Sequence, residues 1–450
     1  KGWVSRLSAS DAPTQYGNYG SLTVNIELTD AGMQNREEIV AMVMQYIALI
    51  KEQGVDSKYF NEIRTSLNNE FQFLEKGDEF GYVSNLTDSM QKFPVNNAIN
   101  APYYYAKFDA DAVQNVLSQL NEDTLRIWYI SKQEETDSQL HFYDGKYRIE
   151  DISEAEVASW SKPSEYALAL PTVNRLLPES FAIKTAEFIQ QAHPELVFDK
   201  QGVKVWRQAS QQFAEQPKGL VEVYINTPDA LVNVKSQVLY SIWADLYNLQ
   251  QSKLSTEAAV AGMSLGLQPS NGLVLSLSGF TDKQDVLLAQ ALENLTLDVS
   301  EEGFAQAIDR FKRDLLNQQK QFPFYQAFGE YSKLTRSGKF DTETLIAAAD
   351  VLTLADFSAI KQSTLAANDL RVFTFGNYNQ NDVDSIASKL TAILPKGHKA
   401  TEFARSKAWL PQPGERIVLQ KDIDVADVAI IDMVVHPTPG YKQKAQAQIL

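Results

Sequence analysis

The chain has 450 residues, 44% of them hydrophobic and 22% charged, with a net charge of −16, the composition of a globular protein of two or three domains with enough apolar material for full cores. It contains no cysteine, which excludes disulfides, cysteine zinc sites and a thiol nucleophile. The acidity argues against nucleic acid as a partner, because phosphates need a basic surface, and no apolar run approaches the ~18–20 residues of a membrane span.

The opening KGWVSRLSAS (1–10) has no initiating Met and no signal-peptide core, and reads as part of a strand. LTVNIELTD (22–30) is a strand ending in Thr-Asp; Ile39, Val43, Ile47 and Ile50 then recur at helical spacing. EEIVAMVMQYIALI (37–50) is strongly apolar but carries charges at its start, so it is a core helix rather than a membrane anchor. A second helix, VDSKYFNEI (55–63), opens with a capping residue. APYYYAKF (101–108) carries three adjacent tyrosines. Neighbouring side chains point in different directions, so partial core burial is the plainer reading than stacking on a ligand.

DAVQNVLSQLNEDTLRIWYI (111–130) reads as a helix opened by an acidic residue, a polar turn and an apolar strand. WSKPSEYALALPTVNRLLPESF (160–181) holds three prolines, which disfavour a regular element, and reads as an ordered linker. Strands GVKVWRQ (202–208) and 220–225 follow, and Pro228 suits a junction into the helix VKSQVLYSIWADLYNLQ (234–250). Leu239, Trp243 and Leu246 give that helix an apolar stripe for packing. GMSLGLQPSNG (262–272) lacks the Lys and spacing of a phosphate loop and reads as a hairpin corner.

The order then repeats. LVLSLSGFTD (273–282) matches 22–30, and Leu288, Leu292 and Leu295 follow at helical spacing. VSEEGFAQAI (299–308) matches 55–63, and DFSAIKQSTLAANDLRVFTF (356–375) aligns without gaps to 111–130 at an offset of 245. The ending AIIDMVVHPTPGYKQKAQAQIL (429–450) matches LVEVYINTPDALVNVKSQVL (220–239), with Pro228 and Pro437 209 apart. The chain is therefore expected to hold the rear of one unit, a whole unit and the opening of a third.

PTVNRLLP (171–178) resembles the interdomain linker of the pitrilysin and insulin-degrading-enzyme (insulinase) family of inverted-motif zinc metallopeptidases. KGWVSRLS (1–8) resembles a strand of that family's second domain, and RVFTFGNY (371–378) its third-domain strand ending in Gly-Asn. The resemblance implies an α+β fold: repeated LuxS/metallohydrolase-like units, each a mostly antiparallel sheet with helices packed on one face. It assigns 1–160 to the C-terminal part of the second domain, 161–182 to the interdomain linker, 183–410 to a complete, non-catalytic third domain and 411–450 to the start of a fourth. It implies a central part of a zinc metalloendopeptidase that degrades peptides in a closed chamber. The implied partners are a peptide substrate, the catalytic first domain and the rest of the fourth domain, with zinc held in the first domain. Bacterial relatives suggest a periplasmic location; a cytoplasmic one is the alternative.

The family's reaction needs a His-x-x-Glu-His helix, whose two imidazoles share a face and bind one metal. Here His141, His193, His398 and His436 lie 52, 205 and 38 residues apart. No pair has ligand spacing, so neither a catalytic residue nor a zinc site is expected in this chain. The helix 234–250, in the place of the catalytic one, has no His; Asp245 alone cannot hold zinc. No Gly-x-Ser-x-Gly elbow supports a Ser–His–Asp triad, and the NLT sequons at 85–87 and 294–296 are short motifs that recur by chance.

One stretch is expected to touch substrate. In the family, an edge strand of the second domain holds the N-terminal part of a bound peptide. WVSRLSAS (3–10) matches that strand, which makes Leu7, Ser8, Ala9 and Ser10 the candidate substrate-binding residues. Where the family can carry Gly, this chain has Ala9; backbone pairing survives that. The plainer reading is an edge strand alone. Two other readings stay open: a peptide-binding or assembly homologue without hydrolytic activity, and a stand-alone scaffold.

Overall fold

The computed structural model describes residues 2–15, 19–75, 77–162, 165–185, 192–434 and 440–449. Its contacts divide the chain into two compact units, Lys1–Leu177 and Pro178–Leu450. The division falls inside the proline-punctuated segment 160–181.

Unit 1 begins with an antiparallel hairpin, β1 (Val4–Gln15) and β2 (Tyr19–Leu28). Thr29 ends β2 and caps the short α1 (Asp30–Gln34) by accepting from the Gly32 amide at 3.1 Å. Then come α2 (Arg36–Gln53), α3 (Ser57–Gln72, capped by Asp56), α4 (Glu79–Lys92, capped by Asp78) and α5 (Ala110–Ser118, capped by Asp109). A small hairpin, β3 (Ser138–Gln139) with β4 (Lys146–Tyr147), precedes α6 (Glu154–Trp160), which opens on a Ser153–Glu156 capping box. Each cap satisfies an amide that the first helical turn leaves unbonded.

Two expectations need amending here. Residues 125–130 form no ladder, and Trp128 and Ile130 are 77% and 91% exposed. An apolar run becomes a strand only where another strand stands beside it, and none does among the described residues. The tyrosine triplet divides: Tyr103 is half-buried against Phe71, ring centroids 5.4 Å apart, while Tyr104 and Tyr105 are exposed. The segment before Leu177 makes specific contacts within unit 1. The Asn174 amide donates to Glu62 at 2.7 Å, the Tyr59 hydroxyl donates to the Pro171 carbonyl at 3.0 Å, and Leu176 is buried.

Unit 2 runs β5 (Glu195–Lys200), β6 (Val203–Gln208), β7 (Lys218–Asn226), α7 (Asp229–Val232), α8 (Val234–Gln250), α9 (Ser252–Val260), β8 (Met263–Ser270) and β9 (Gly272–Phe280). It continues through α10 (Gln284–Glu293), α11 (Glu301–Gln318), α12 (Pro323–Thr335), α13 (Thr342–Ala349), α14 (Leu354–Ala366), β10 (Ala367–Gly376), α15 (Gln380–Ile393), β11 (Lys399–Ala400) and α16 (Tyr441–Ile449). The sheet order is β5-β6-β10-β7-β9-β8, with β11 beside the start of β10. Pairing is antiparallel except at β6–β10 and β10–β11. This is the mostly antiparallel α+β arrangement expected.

Period-two alternation gives the sheet two different faces. Val203, Val205, Val221, Val223, Ile225, Leu273, Leu275, Leu277, Leu370 and Val372 are buried. The helices α8, α9, α10, α14 and α15 pack on the sheet. The intervening Lys204, Trp206, Glu222, Tyr224, Ser276, Arg371 and Phe373 are only half-buried and form the other face. At the β8–β9 turn Gly272 has φ +107°, and a Cβ there would lie 2.1 Å from the Ile225 carbonyl oxygen, so glycine alone fits.

The helix after Pro228 is more deeply buried than its stripe implied. Pro228 precedes only the short α7 and makes no side-chain cap; α8 is capped by Asn233, whose side chain accepts from Lys235 and Ser236 amides. Val238 through Ala244, Ser241 apart, and Leu246 and Tyr247 are all buried, so α8 is a central core helix with apolar residues on every side. Its polar aromatic atoms are satisfied: Trp243 Nε1 donates to the Leu295 carbonyl and the Tyr247 hydroxyl to the Ala291 carbonyl, both at 2.9 Å.

The chain after β11 is strapped across the end of this sheet. Asn226 donates to the Ala404 carbonyl at 2.9 Å and accepts from the Ala404 amide at 2.7 Å, and Asn271 donates to the same carbonyl at 3.1 Å. The Trp409 amide then donates to the Thr335 carbonyl at 2.8 Å. Residues 429–434, expected as a strand, form no ladder, although the helix beyond them, α16, is present. His436 and Pro437 lie outside the described residues. No helix among the described residues is long and apolar enough to cross a membrane.

Candidate functional site

The residues singled out for substrate contact all fall on β1. Leu7 pairs with Ile26, Ser8 with Asn25, Ala9 with Val24 and Ser10 with Thr23. Directly paired residues share a face, so Leu7, Ala9, Val24 and Ile26 make an apolar face and Ser8, Ser10, Thr23 and Asn25 a polar one. All four candidates are exposed, Leu7 at 60%. Among the described residues β1 pairs with β2 alone. Its other edge therefore presents a row of backbone donors and acceptors of the kind an extended peptide can join.

The base of this hairpin is fixed by short-range contacts. The Thr29 amide donates to the Trp3 carbonyl at 3.0 Å and the Thr29 hydroxyl to the Gly2 carbonyl at 2.8 Å. A Cβ on Gly32 would sit 1.9 Å from the Trp3 carbonyl oxygen, so glycine is what lets α1 start against the strand. The register shifts between Val4 and Arg6, a bulge that precedes the candidate residues, and the pairing is regular from Arg6 to Ala12.

The histidines are not brought together as a metal site: among the described residues no group of three His, Asp or Glu stands close enough to hold a metal ion. Asp245, the one carboxylate of interest on α8, accepts from Arg310 Nε at 3.1 Å and Nη2 at 2.6 Å. It is the partner of a structural ion pair, so the side chains of this helix do not fit zinc. His398 stands apart, and burial pushes its imidazole below the ordinary histidine range.

A second feature was not singled out by the sequence. On the half-buried face of the unit 2 sheet, Pro194, Trp206, Tyr224, Arg371, Phe373 and Phe403 line a recess of about 230 Å³. The Arg371 guanidinium lies 4.1 Å from the Phe403 ring centroid and 5.5 Å from that of Trp206, and its Nε donates to Asp369 at 2.5 Å. The Tyr224 hydroxyl donates to Glu222 at 2.5 Å; burial first, then that carboxylate, push its pKa up to about 12. The charges of the recess are paired internally, and what remains open is aromatic surface. The alternation of aromatic residues at Phe373 and Phe375 was the available signal, but Phe403 and Pro194 arrive from distant segments.

Comparison with known proteins gives a consistent result. The family described as "Middle or third domain of peptidase_M16" matches residues 71–348. Protease 3 of Escherichia coli (strain K12) is 28% identical over 445 residues, covering 98% of this chain and 46% of that protein. Protease 3 of Salmonella typhimurium is likewise 28% identical, over 449 residues. Insulin-degrading enzyme of Homo sapiens is 24% identical over 432 residues, covering 95% of this chain and 41% of its own length. The crystal structure of pitrilysin matches with a TM-score of 0.64 at 28% identity, over 90% of this chain and 43% of that one. The chain thus spans about half the length of the curated relatives it matches.

Proposed function

The chain belongs to the M16 family of metallopeptidases, and we propose that it supplies the non-catalytic centre of a zinc metalloendopeptidase, with β1 as the edge that holds a peptide's N-terminal part. The observation that carries this reading is the ladder at Leu7–Ser10: regular pairing to β2 on one side, no partner among the described residues on the other. Strand addition there takes its affinity from backbone hydrogen bonds and little selectivity from side chains. The short Ser8, Ala9 and Ser10 side chains leave the backbone accessible. The aromatic recess on the half-buried face of the unit 2 sheet fits a chamber wall that meets apolar side chains of a peptide.

No step of the hydrolysis is assigned to this chain. The zinc and its ligands belong, on this reading, to the first domain of the whole protein, and the remaining partner is the rest of the fourth. A periplasmic location goes with the bacterial relatives as part of the same proposal.

Two measurements test it. Hydrogen exchange on the whole enzyme with a bound, uncleaved peptide analogue is expected to slow amides at 5–10; unchanged exchange there, with the peptide demonstrably bound, removes the edge assignment. The 450-residue chain itself, dialysed and assayed with a quenched fluorescent peptide, is expected to hold far less than one zinc per chain and to leave the peptide intact. One tightly held zinc with chelator-sensitive cleavage would overturn the non-catalytic reading.

A further inference from the structure

The edge strand of unit 1 carries charges that its counterpart lacks. In the repeat, the hairpin β1–β2 stands where β8–β9 does, and β8 is an edge strand of the unit 2 sheet, so an open edge at β1 belongs to the plan of the unit. β8 (MSLGLQPS) and β9 (GLVLSLSGF) contain no charged residue. β1 contains Arg6 and Asp11, and β2 contains Glu27. Arg6 lies directly opposite Glu27, so those two charges are of opposite sign and neighbours. Asp11 lies opposite Leu22, is exposed, and makes no hydrogen bond or ion pair among the described residues.

Asp11 shares its face with Leu7 and Ala9, because side chains two apart on a strand point the same way. The pairing is regular from Arg6 to Ala12. An extended peptide bonded to the open edge of β1 therefore meets these three side chains at every second residue, with Cβ atoms about 4.5–5.5 Å apart across the ladder. Leu7 and Ala9 offer apolar contact. Asp11 offers a carboxylate with no cation beside it. A basic side chain fits that position, since it stands out of the pleat on the same face. The peptide's own α-ammonium does not, since it lies in the plane of the hydrogen-bonded backbone.

We propose that Asp11 is a specificity-determining residue of this edge: it selects peptides with a Lys or Arg side chain two and four residues away from small or apolar side chains seated on Ala9 and Leu7. With the peptide antiparallel to β1, as β2 is, the basic residue comes first in the peptide. The inference rests on the reading of β1 as the peptide-holding edge, and adds a charge preference that backbone pairing alone does not give. A cross-strand pair of opposite charge at an exposed position changes binding by roughly two- to fivefold and weakens with salt.

The test is equilibrium binding to the whole enzyme of two versions of an uncleaved peptide analogue, both acetylated at the N-terminus. Their first residues read Lys-Ser-Val-Ser-Val in one and norleucine-Ser-Val-Ser-Val in the other. The lysine version is expected to bind roughly threefold tighter at ~50 mM salt and about equally at ~1 M. Asp11→Asn is expected to erase the preference and Asp11→Glu to keep it, with amide exchange at 5–10 slowed by both peptides in both variants. Equal binding of the two peptides by the unaltered enzyme at low salt overturns the proposal, as does a preference that survives Asp11→Asn. A preference seen only when the acetyl group is removed also overturns it, because the cation would then be the peptide's amine. If neither peptide slows exchange at 5–10 in the unaltered enzyme, the edge reading itself fails and the role of Asp11 with it; slowed exchange without a lysine preference removes the role of Asp11 alone.

Discussion

Both units carry a hairpin, two long helices, further helices and an extended apolar run in the same order, yet they are buried very differently. Among the described apolar residues of unit 1, only Ile39, Ala41, Ala98, Trp160 and Leu176 are buried; unit 2 buries apolar residues along β6, β7, β8, β9 and β10 and most of α8 besides. The helix α2 is nearly as apolar as α8, but its Val43, Ile47 and Ile50 are only half-buried. The difference lies in the sheet. Where β7 stands between β9 and β10, the sheet is continuous and its apolar face can be closed by helices. Among the described residues unit 1 has only the two hairpins β1–β2 and β3–β4, which offer no face of comparable breadth. The contrast teaches that the apolar pattern of an element sets how much it can bury, and its neighbours set how much it does.

The largest expected effect that would sharpen this contrast is at Trp243, fully buried on α8. Trp243→Ala is expected to cost about 3–5 kcal/mol, read as a lower urea midpoint for the tryptophan-independent circular dichroism of unit 2. Ile47→Ala on α2 is expected to cost about 1 kcal/mol or less, because a half-buried side chain leaves a smaller cavity. Equal costs would break the comparison.

A smaller effect concerns the strap that crosses the sheet end of unit 2. Asn226→Ala removes two of the three side-chain hydrogen bonds that hold the Ala404 backbone, at an expected cost of about 1–3 kcal/mol. Trypsin is expected to cut after Arg405 several-fold faster in the variant. An unchanged cutting rate would show that Asn271 and the 335–337 contacts hold the strap without Asn226.

The smallest effect is a pH dependence confined to unit 2. Burial of His398 lowers its folded pKa below the ordinary histidine value of 6.5. The unfolded chain then binds the proton more readily, so the contribution to stability is complete above 6.5 and is lost as pH falls through the lower folded value. His398→Gln is expected to flatten the stability of unit 2 across that window, measured by urea unfolding at stepped pH. A slope that survives the substitution would assign the dependence to carboxylates instead.

Much of the element order was legible in the sequence. The caps Asp56 and Ser300, the acidic first turns at Asp111 and Asp356, and the 245-residue offset were read from residues and reappear at α3, α11, α5 and α14. The strand edge at Leu7–Ser10 was placed through family resemblance, and it forms a strand with one open edge among the described residues. The strand readings at 125–130 and 429–434 did not reappear as ladders. The aromatic recess was not read at all, because Arg371, Trp206 and Phe403 meet only when three separate segments are folded together.

By itself the sequence determined what is local. Helix starts depend on a side chain reaching an amide two or three residues on, and apolar periodicity is fixed within a few turns, so α8 could be recognised as a packing helix without histidine ligands. Only the tertiary structure decided which strands are neighbours. β10 lies parallel to β6 and antiparallel to β7 although well over a hundred residues separate it from either. No residue on β10 encodes that placement alone, because a strand's hydrogen bonds are made by backbone groups that every residue carries. Whether an apolar run is buried in a ladder, like 370–375, or left exposed, like 125–130, depends on whether a second strand is there to receive those groups.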